Sequence, residues 1–173
     1  MIRKTMELSG RTLTLETGRM AKQASGSILL TYGETVLLAT ATANKEAGED
    51  RGFMPLSVEY REKFYAAGRI PGGFFKREAR PSEKEIIACR LTDRPLRPLF
   101  PKGFHAETQI AINVLSYDEE NPGDTLGTIA ASAALAISDI PWAGPVATVR
   151  VGRIDGKFIV NPENSKAEDS DME

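Results

Sequence analysis

GRIPGGFFKREARPSEKEIIACRLTDRPLRPLFPK, residues 68–102, is the stretch on which the reading of the fold turns. Its first part resists regular structure, because Gly68, Pro71, Gly72 and Gly73 crowd breakers into residues 66–73. The second part opens with Ser82-Glu83-Lys84-Glu85, a capping box in which the serine oxygen accepts from the Glu85 amide and Glu85 reaches back. Glu83 and Glu85 also complement the positive end of the helix that starts there. Ile87 and Leu91, four apart, are expected on its buried face. Pro95 disfavours α geometry at Arg94, so the helix is predicted to end near Asp93. Pro98 and Pro101 keep the exit extended. A glycine-rich loop therefore runs straight into a capped helix.

Upstream, strands dominate. Arg11–Thr17 alternates, with Leu13 and Leu15 on one face. Ser27–Thr31 and Thr35–Thr42 form a predicted hairpin about Tyr32-Gly33-Glu34. Val36, Leu37 and Leu38 leave little polar face, which predicts burial on both sides. Asn44–Gly52 is charged and reads as a solvated loop, and Met54–Tyr60 as a fourth strand. Downstream, Thr108–Tyr117 alternates through Ile110, Ile112 and Val114. Asp124 is a predicted N-cap for a helix over Thr125–Ser138, with Leu126, Ile129, Ala130, Ala133 and Ile137 on its packed face. Pro141 stops it, and Trp142 reads as a packing anchor. Pro145–Ile154 and Lys157–Val160 form a last hairpin about Asp155-Gly156. The order β-β-β-β-α-β-α-β-β predicts an α+β fold, a mixed sheet with helices packed on one face.

Composition narrows the chemistry. Cys89 is the only cysteine and His105 the only histidine, which excludes an internal disulfide, a cysteine-cluster metal site and a Ser–His–Asp triad within the chain. Cys89 reads as a small core residue and His105 as a strand-edge surface residue. There is no phosphate-cradling P-loop and no dinucleotide fingerprint. The opening MIRKTMELSGR lacks the apolar run of a secretory signal, and no apolar stretch is long enough to span a membrane, so the expected compartment is cytoplasmic.

Charge is distributed unevenly. Residues 69–102 carry nine Lys/Arg and four Asp/Glu, a local +5 in a chain of net −2, leaving −7 for the rest. That asymmetry points to a polyanionic partner. Phe74-Phe75-Lys76-Arg77 sits within it. Two adjacent aromatics beside cations suit single-stranded nucleic acid, rings on bases and cations on phosphates. The competing reading is a pair of rings plugging the loop onto the domain or a subunit interface. Arg90, Arg94 and Arg97 follow helical spacing, and their guanidinium forks match phosphate. The alternative for them is ion pairing, for example with Asp93. Asp169, Asp171 and Glu173 have the oxygen chemistry of a Mg²⁺ site, but in a terminal acidic run they read as solvated, and no metal site is assigned within the chain.

GGFFKREARPSEKE (Gly72–Glu85) and RLTDRPLRPLFPKGF (Arg90–Phe104) resemble the polynucleotide phosphorylase family, specifically its first RNase PH-like core domain. YGETVLLATATA (Tyr32–Ala43), IAASAALAIS (Ile129–Ser138) and VGRIDGKFIVNP (Val151–Pro162) follow the family in the same order. The resemblance implies an RNase PH-like fold (ribosomal protein S5 domain 2-like) over residues 1–162 with the end of that domain missing. Residues 163–173 are then an acidic tail or the start of a continuation. It implies a phosphorolytic 3′-to-5′ exoribonuclease that uses inorganic phosphate and Mg²⁺, releases nucleoside diphosphates and works as a homotrimeric ring in RNA degradation, with possible degradation-complex partners. The chemistry and the metal belong chiefly to a second core domain, so the chain alone is expected to be inactive. This domain is expected to grip RNA through Phe74, Phe75, Lys76, Arg77, Arg80, Arg94 and Arg97. The alternative is a ring-assembly module without RNA contact. Lys76 stands where the family loop has arginine, which keeps charge but loses the bidentate fork. Ala79 stands where a glycine is expected.

Overall fold

Ser9 and Gly10 both adopt positive φ (51° and 75°) and turn the chain back on itself within two residues. This is the geometry that matches the right-handed twist of a hairpin. It joins β1 (Ile2–Leu8) to β2 (Arg11–Thr17), antiparallel with Ile2 opposite Thr17. β1 escapes the sequence pattern because it lies at the sheet edge with nearly every residue exposed, so no face is marked by alternation. The computed structural model describes all residues except Ala47, Arg51, Phe75, Ala79 and Glu173.

β3 (Gly26–Tyr32) and β4 (Thr35–Ala43) form the predicted hairpin. β5 (Leu56–Glu62) and β6 (Thr108–Ser116) complete a six-stranded sheet in the order β1-β2-β3-β4-β6-β5. β5 and β6 run parallel, and every other pair in this sheet is antiparallel. The β5-to-β6 crossover contains α1 (Glu83–Leu96). α2 (Gly123–Ala136) follows β6 and lies over β3, β4 and β6, beside α1. β7 (Val151–Ile154) and β8 (Lys157–Val160) make a separate two-stranded ribbon, and α3 (Asn164–Ala167) follows. The predicted α+β class holds. The core is one contiguous cluster that includes Leu30, Leu37, Ile110, Ile112, Leu96, Leu126 and Leu135.

Several expectations change in detail. β4 alternates between buried and half-buried residues, so only the Leu37, Ala39 and Ala41 side is fully closed. α1 runs through Pro95 to Leu96 instead of stopping near Asp93. Its end is secured by Trp142 Nε1, which donates to the Leu96 carbonyl at 3.0 Å, and by the Arg97–Asp93 pair at 2.7 Å. The buried face of α1 is Glu85, Ala88, Thr92 and Leu96; Ile87 and Leu91 are 56% and 54% exposed. Small residues face inward because α1 lies against α2, where Thr92 and Thr128 hydroxyls meet at 2.9 Å. α2 starts at Gly123 with Pro122 as N-cap, and Asp124 sits in its first turn. The early start requires glycine, since a Cβ at Gly123 would lie 2.6 Å from the Tyr60 hydroxyl. The packed face of α2 is Leu126, Ala130, Ala131, Ala134 and Leu135, while Ile137 is half exposed.

Asp118 ties the open end of the sheet together. Its Oδ1 accepts from Thr35 Oγ1 (3.0 Å), Glu120 N (3.0 Å) and Asn121 N (2.7 Å). Its Oδ2 accepts from Glu34 N (3.0 Å) and Asn121 Nδ2 (2.6 Å). Burial opposes ionisation of this carboxyl, but the hydrogen bonds from Asn121, Glu34 and Glu120 outweigh it and hold its pKa below the usual value. Arg11 extends the network, donating to Asn121 Oδ1 and to the Asn161 carbonyl, both at 2.5 Å, so the β8 end is fastened to the main sheet. Asp118→Ala is expected to cost about 3 kcal/mol in urea unfolding, because buried donors lose their acceptor. The stabilisation from the lowered pKa is fully present above the unfolded carboxylate value of about 3.9 and is lost as pH falls through the folded value. Asp118→Asn should flatten that acid limb of the stability profile.

Candidate nucleic-acid interface

The predicted loop lies at the carboxyl end of β5, where the chain leaves the sheet before entering α1. Parallel strands place their carboxyl ends and the following helix N-terminus at one rim, a recurrent location for ligand sites. Three contacts fix the loop there. Phe64–Ala67 forms a short 3-10 turn closed by Gly68 at φ 65°. Glu78 then reaches back, accepting from Phe64 N at 2.5 Å and pairing with Lys63 at 3.0 Å. Those two contacts, the backbone bond first, hold the Glu78 carboxyl below its ordinary pKa. The capping box forms as predicted: Ser82 Oγ accepts from Glu85 N at 3.2 Å, and Glu85 Oε2 accepts from Ser82 N at 2.6 Å. The other Glu85 oxygen accepts from Glu62 N at 2.9 Å, which joins the helix start to the last residue of β5.

Between these anchors the loop presents its tip outward. Phe74 is 96% exposed. Lys76 takes φ 47° and its amide donates to the Gly73 carbonyl at 2.9 Å, a tight turn that points successive side chains apart. Lys76, Arg77 and Arg80 are exposed. Phe75 and Ala79 lie outside the described residues. Arg77 and Arg80 line a cleft of about 540 Å³ together with Arg61, Lys63, Phe64 and Glu78. Arg61, Lys63 and Phe64 were not singled out from the sequence. Arg61 and Lys63 looked like ordinary solvent-side residues of a strand end, and only the parallel crossover brings them against the loop.

The helix arginines divide. Arg90 and Arg94 lie exposed in an open groove of about 760 Å³ along α1, beside Ile87, Leu91 and Pro98. Among the described residues neither forms an ion pair. Arg97 is engaged inside the fold. Its Nε and Nη2 donate to Asp93 at 2.9 and 2.7 Å, and Nη1 and Nη2 donate to the Met54 and Leu56 carbonyls at 2.7 and 3.1 Å. The pairing with Asp93 weighed as the alternative is present, and these bonds clamp the helix end to the start of β5, while Arg97 also lines the groove of Arg90 and Arg94 with its side chain 38% exposed. Within the basic stretch, Arg69 pairs with Glu119 and Lys84 with Glu62, at 2.7 and 3.1 Å.

The remaining candidates fall into structural roles. Cys89 Sγ accepts from Tyr60 N at 3.1 Å, and burial raises its thiol pKa, as suits a core residue. His105 is half-buried near Asp50, 3.7 Å away. Asp171 is held by Arg153 at 2.7 Å, so it folds back on the β7–β8 ribbon, and Glu173 lies outside the described residues. Among the described residues no group of acidic, His or Cys side chains is arranged to hold a metal ion, and no helix is long and apolar enough to cross a membrane.

A family profile described as the 3′ exoribonuclease family, domain 1, matches residues 9–141. The chain belongs to this RNase PH family. A second profile, domain 2 of the same family, matches residues 144–173, starting between α2 and β7. Curated relatives agree. The chain is 56% identical over 168 residues to the polyribonucleotide nucleotidyltransferase of Heliobacterium modesticaldum, covering 97% of this chain and 24% of that protein. It is 57% identical over 171 residues to the Thermus thermophilus protein of the same name, covering 99% of this chain and 24% of that one. The chain thus spans about a quarter of the length of these relatives. Solved structures show the same fold at low identity. Rice Rrp46 superposes with TM-score 0.69 at 16% identity, over 95% of this chain and 71% of that one. A chain of the Archaeoglobus fulgidus exosome with RNA bound to its active site superposes with TM-score 0.60 at 18% identity, over 88% and 67% of the respective chains. In this family fold the cation-lined cleft sits on a rigid mount. Ser82→Ala should cost about 1 kcal/mol of stability, the usual value of a lost N-cap. Glu78→Ala should leave the melting temperature nearly unchanged while accelerating hydrogen exchange at the Phe64 amide.

Proposed function

We propose that this chain is the N-terminal RNA-channel domain of a phosphorolytic 3′-to-5′ exoribonuclease, holding single-stranded RNA while a further domain performs the chemistry. The observation that carries the reading is the loop tip. Phe74 is exposed almost completely, and Lys76, Arg77 and Arg80 follow it on a loop whose base is pinned by Glu78 and Glu85. The relatives' name, polyribonucleotide nucleotidyltransferase, supplies the reaction class. Phe74 and Phe75 stack on bases, Lys76, Arg77, Arg80 and Arg94 take phosphates, and Arg97 keeps α1 in place. Nucleoside diphosphates are released by attack of inorganic phosphate. Mg²⁺ acts outside this chain. Three copies of the parent protein form the ring, in the cytoplasm.

The phosphate contacts set a quantitative expectation. With about four of them on a single strand, log affinity should fall with log salt at a slope of roughly −3. Phe74→Ala combined with Arg77→Ala should weaken RNA binding of the intact protein and flatten that slope. Unchanged affinity and a flat salt response would remove RNA gripping from this domain.

The assembly reading draws on a different observation, the exposed Ile87 and Leu91 on α1. Apolar residues aligned on one solvent face of a helix form an interaction stripe, and this stripe shares its groove with Arg90 and Arg94 while the loop tip at Phe74 lies elsewhere in the chain. Leu91→Glu should lower the assembled mass in native mass spectrometry. Phe74→Ala should leave that mass intact and alter only RNA affinity.

A further inference from the structure

The cleft behind the loop has a composition that the loop tip alone does not explain. Three carboxylates line it, and each is already satisfied. Glu62 accepts from the Tyr60 hydroxyl at 2.7 Å and pairs with Lys84 at 3.1 Å. Glu78 holds Phe64 N and Lys63. Glu85 holds Glu62 N and Ser82 N. Three arginines line the same cleft, Arg61, Arg77 and Arg80, and among the described residues none has an ion-pair or hydrogen-bond partner. With Glu78 paired to Lys63 and Glu62 to Lys84, the three arginines face one remaining carboxylate, Glu85, so the cleft is net positive. Its volume, about 540 Å³, falls within the usual size of a small-molecule site. Phe64, 45% exposed, belongs to its lining and sits on the 3-10 turn that Glu78 clamps.

We infer that this cleft is a subsite for one nucleotide unit, with Phe64 under the base and Arg61, Arg77 and Arg80 around the phosphate. The inference rests on the RNA-gripping function proposed above and adds a second point of contact to it, set back from the Phe74 tip. An aromatic face accepts any base, and guanidinium forks accept phosphate oxygens in pairs. Phe64 is suited to the task because its backbone is immobilised by the Glu78 contact and by Arg69 N, which donates to the Phe64 carbonyl at 2.9 Å. The backbone that carries the ring is thus fixed before ligand arrives. The same chemistry recognises a nucleotide inside an RNA strand or a free nucleoside diphosphate, and the two sources are separable by experiment.

The test uses the full-length protein, with 4-thiouridine-containing oligouridine in one photolabelling arm and 8-azido-ADP in the other. The labelled peptide is identified by mass spectrometry. Expected is an RNA crosslink within residues 61–64, with Phe64→Leu weakening RNA binding about tenfold, the value of a lost base stack. Phe64→Trp, which keeps an aromatic face, should bind as the parent does, and Arg80→Gln should reduce labelling. Labelling of the same peptide by 8-azido-ADP and not by RNA would support the subsite with free nucleoside diphosphate as its occupant. Absence of label from both probes would overturn the inference, as would equal RNA affinity in Phe64→Leu and the parent together with no azido label. A steep salt slope that survives such a result would leave RNA gripping by the loop standing and remove only the cleft.

Discussion

Glu85 is the contact on which the functional end of this domain depends. A single carboxylate accepts from the N-cap amide of its own helix and from the terminal amide of β5. The first bond fixes where α1 begins, and the second fixes where that beginning sits against the sheet. With both ends located, residues 63–82 become a loop of set span. The side chain is buried, at 8% exposure, and a buried carboxylate without partners is costly. The amides of Ser82 and Glu62 supply the compensation, and the helix N-terminus adds a favourable dipole. The arrangement explains why α1 turns Ala88 and Thr92 inward. Once Glu85 is anchored, helical spacing dictates which residues follow it into the interior.

The capping box was legible in the sequence because it is local, four residues whose meaning needs no partner. The β3–β4 hairpin and the alternation of β6 were legible for the same reason. The face of α1 was not. Ile87 and Leu91 are the strongest apolar residues of that helix, and reading hydrophobicity alone buries them. The interior instead takes residues small enough for α1 to meet α2 closely, and the apolar pair is left at the surface. β1 was missed because an edge strand with two exposed faces carries no alternating pattern. The sequence left the phenylalanine pair open between a nucleic-acid contact and a plug, and Phe74 stands exposed. Arg97's pairing with Asp93 could be weighed from their spacing, but its bonds to the Met54 and Leu56 carbonyls, some forty residues earlier, follow from no periodicity. Arg61 and Phe64 were invisible as site residues until the crossover placed them against the loop.

Charge and rigidity are divided between parts of the same segment. The acidic side chains near the loop are used for fastening: Glu78 to the 3-10 turn, Glu85 to β5, Asp93 to Arg97. Apart from Lys63, which pairs with Glu78, the basic side chains at the tip and in the cleft form no ion pair among the described residues. Each ion pair cancels its own charge, so the positive potential that a ligand meets is carried by the arginines without carboxylate partners. This arrangement suits a strand that must be held without being read. Backbone phosphates and stacked rings give affinity with little dependence on base identity.

The parallel pairing of β5 with β6 has a consequence for how the domain is assembled. β1 to β4 form a meander whose contacts join near neighbours in sequence. β5 and β6 meet only after residues 63–107 have been closed into a crossover. Loop-closure entropy must be met before that contact contributes, and such non-local pairings form slowly. The cleft and the mounted loop belong wholly to this late unit. A chain caught before the crossover closes would have a formed meander, a free basic segment and no pocket. The surface proposed to grip RNA is thus a property of the finished domain, and partly folded molecules would present its charge without the fixed mount.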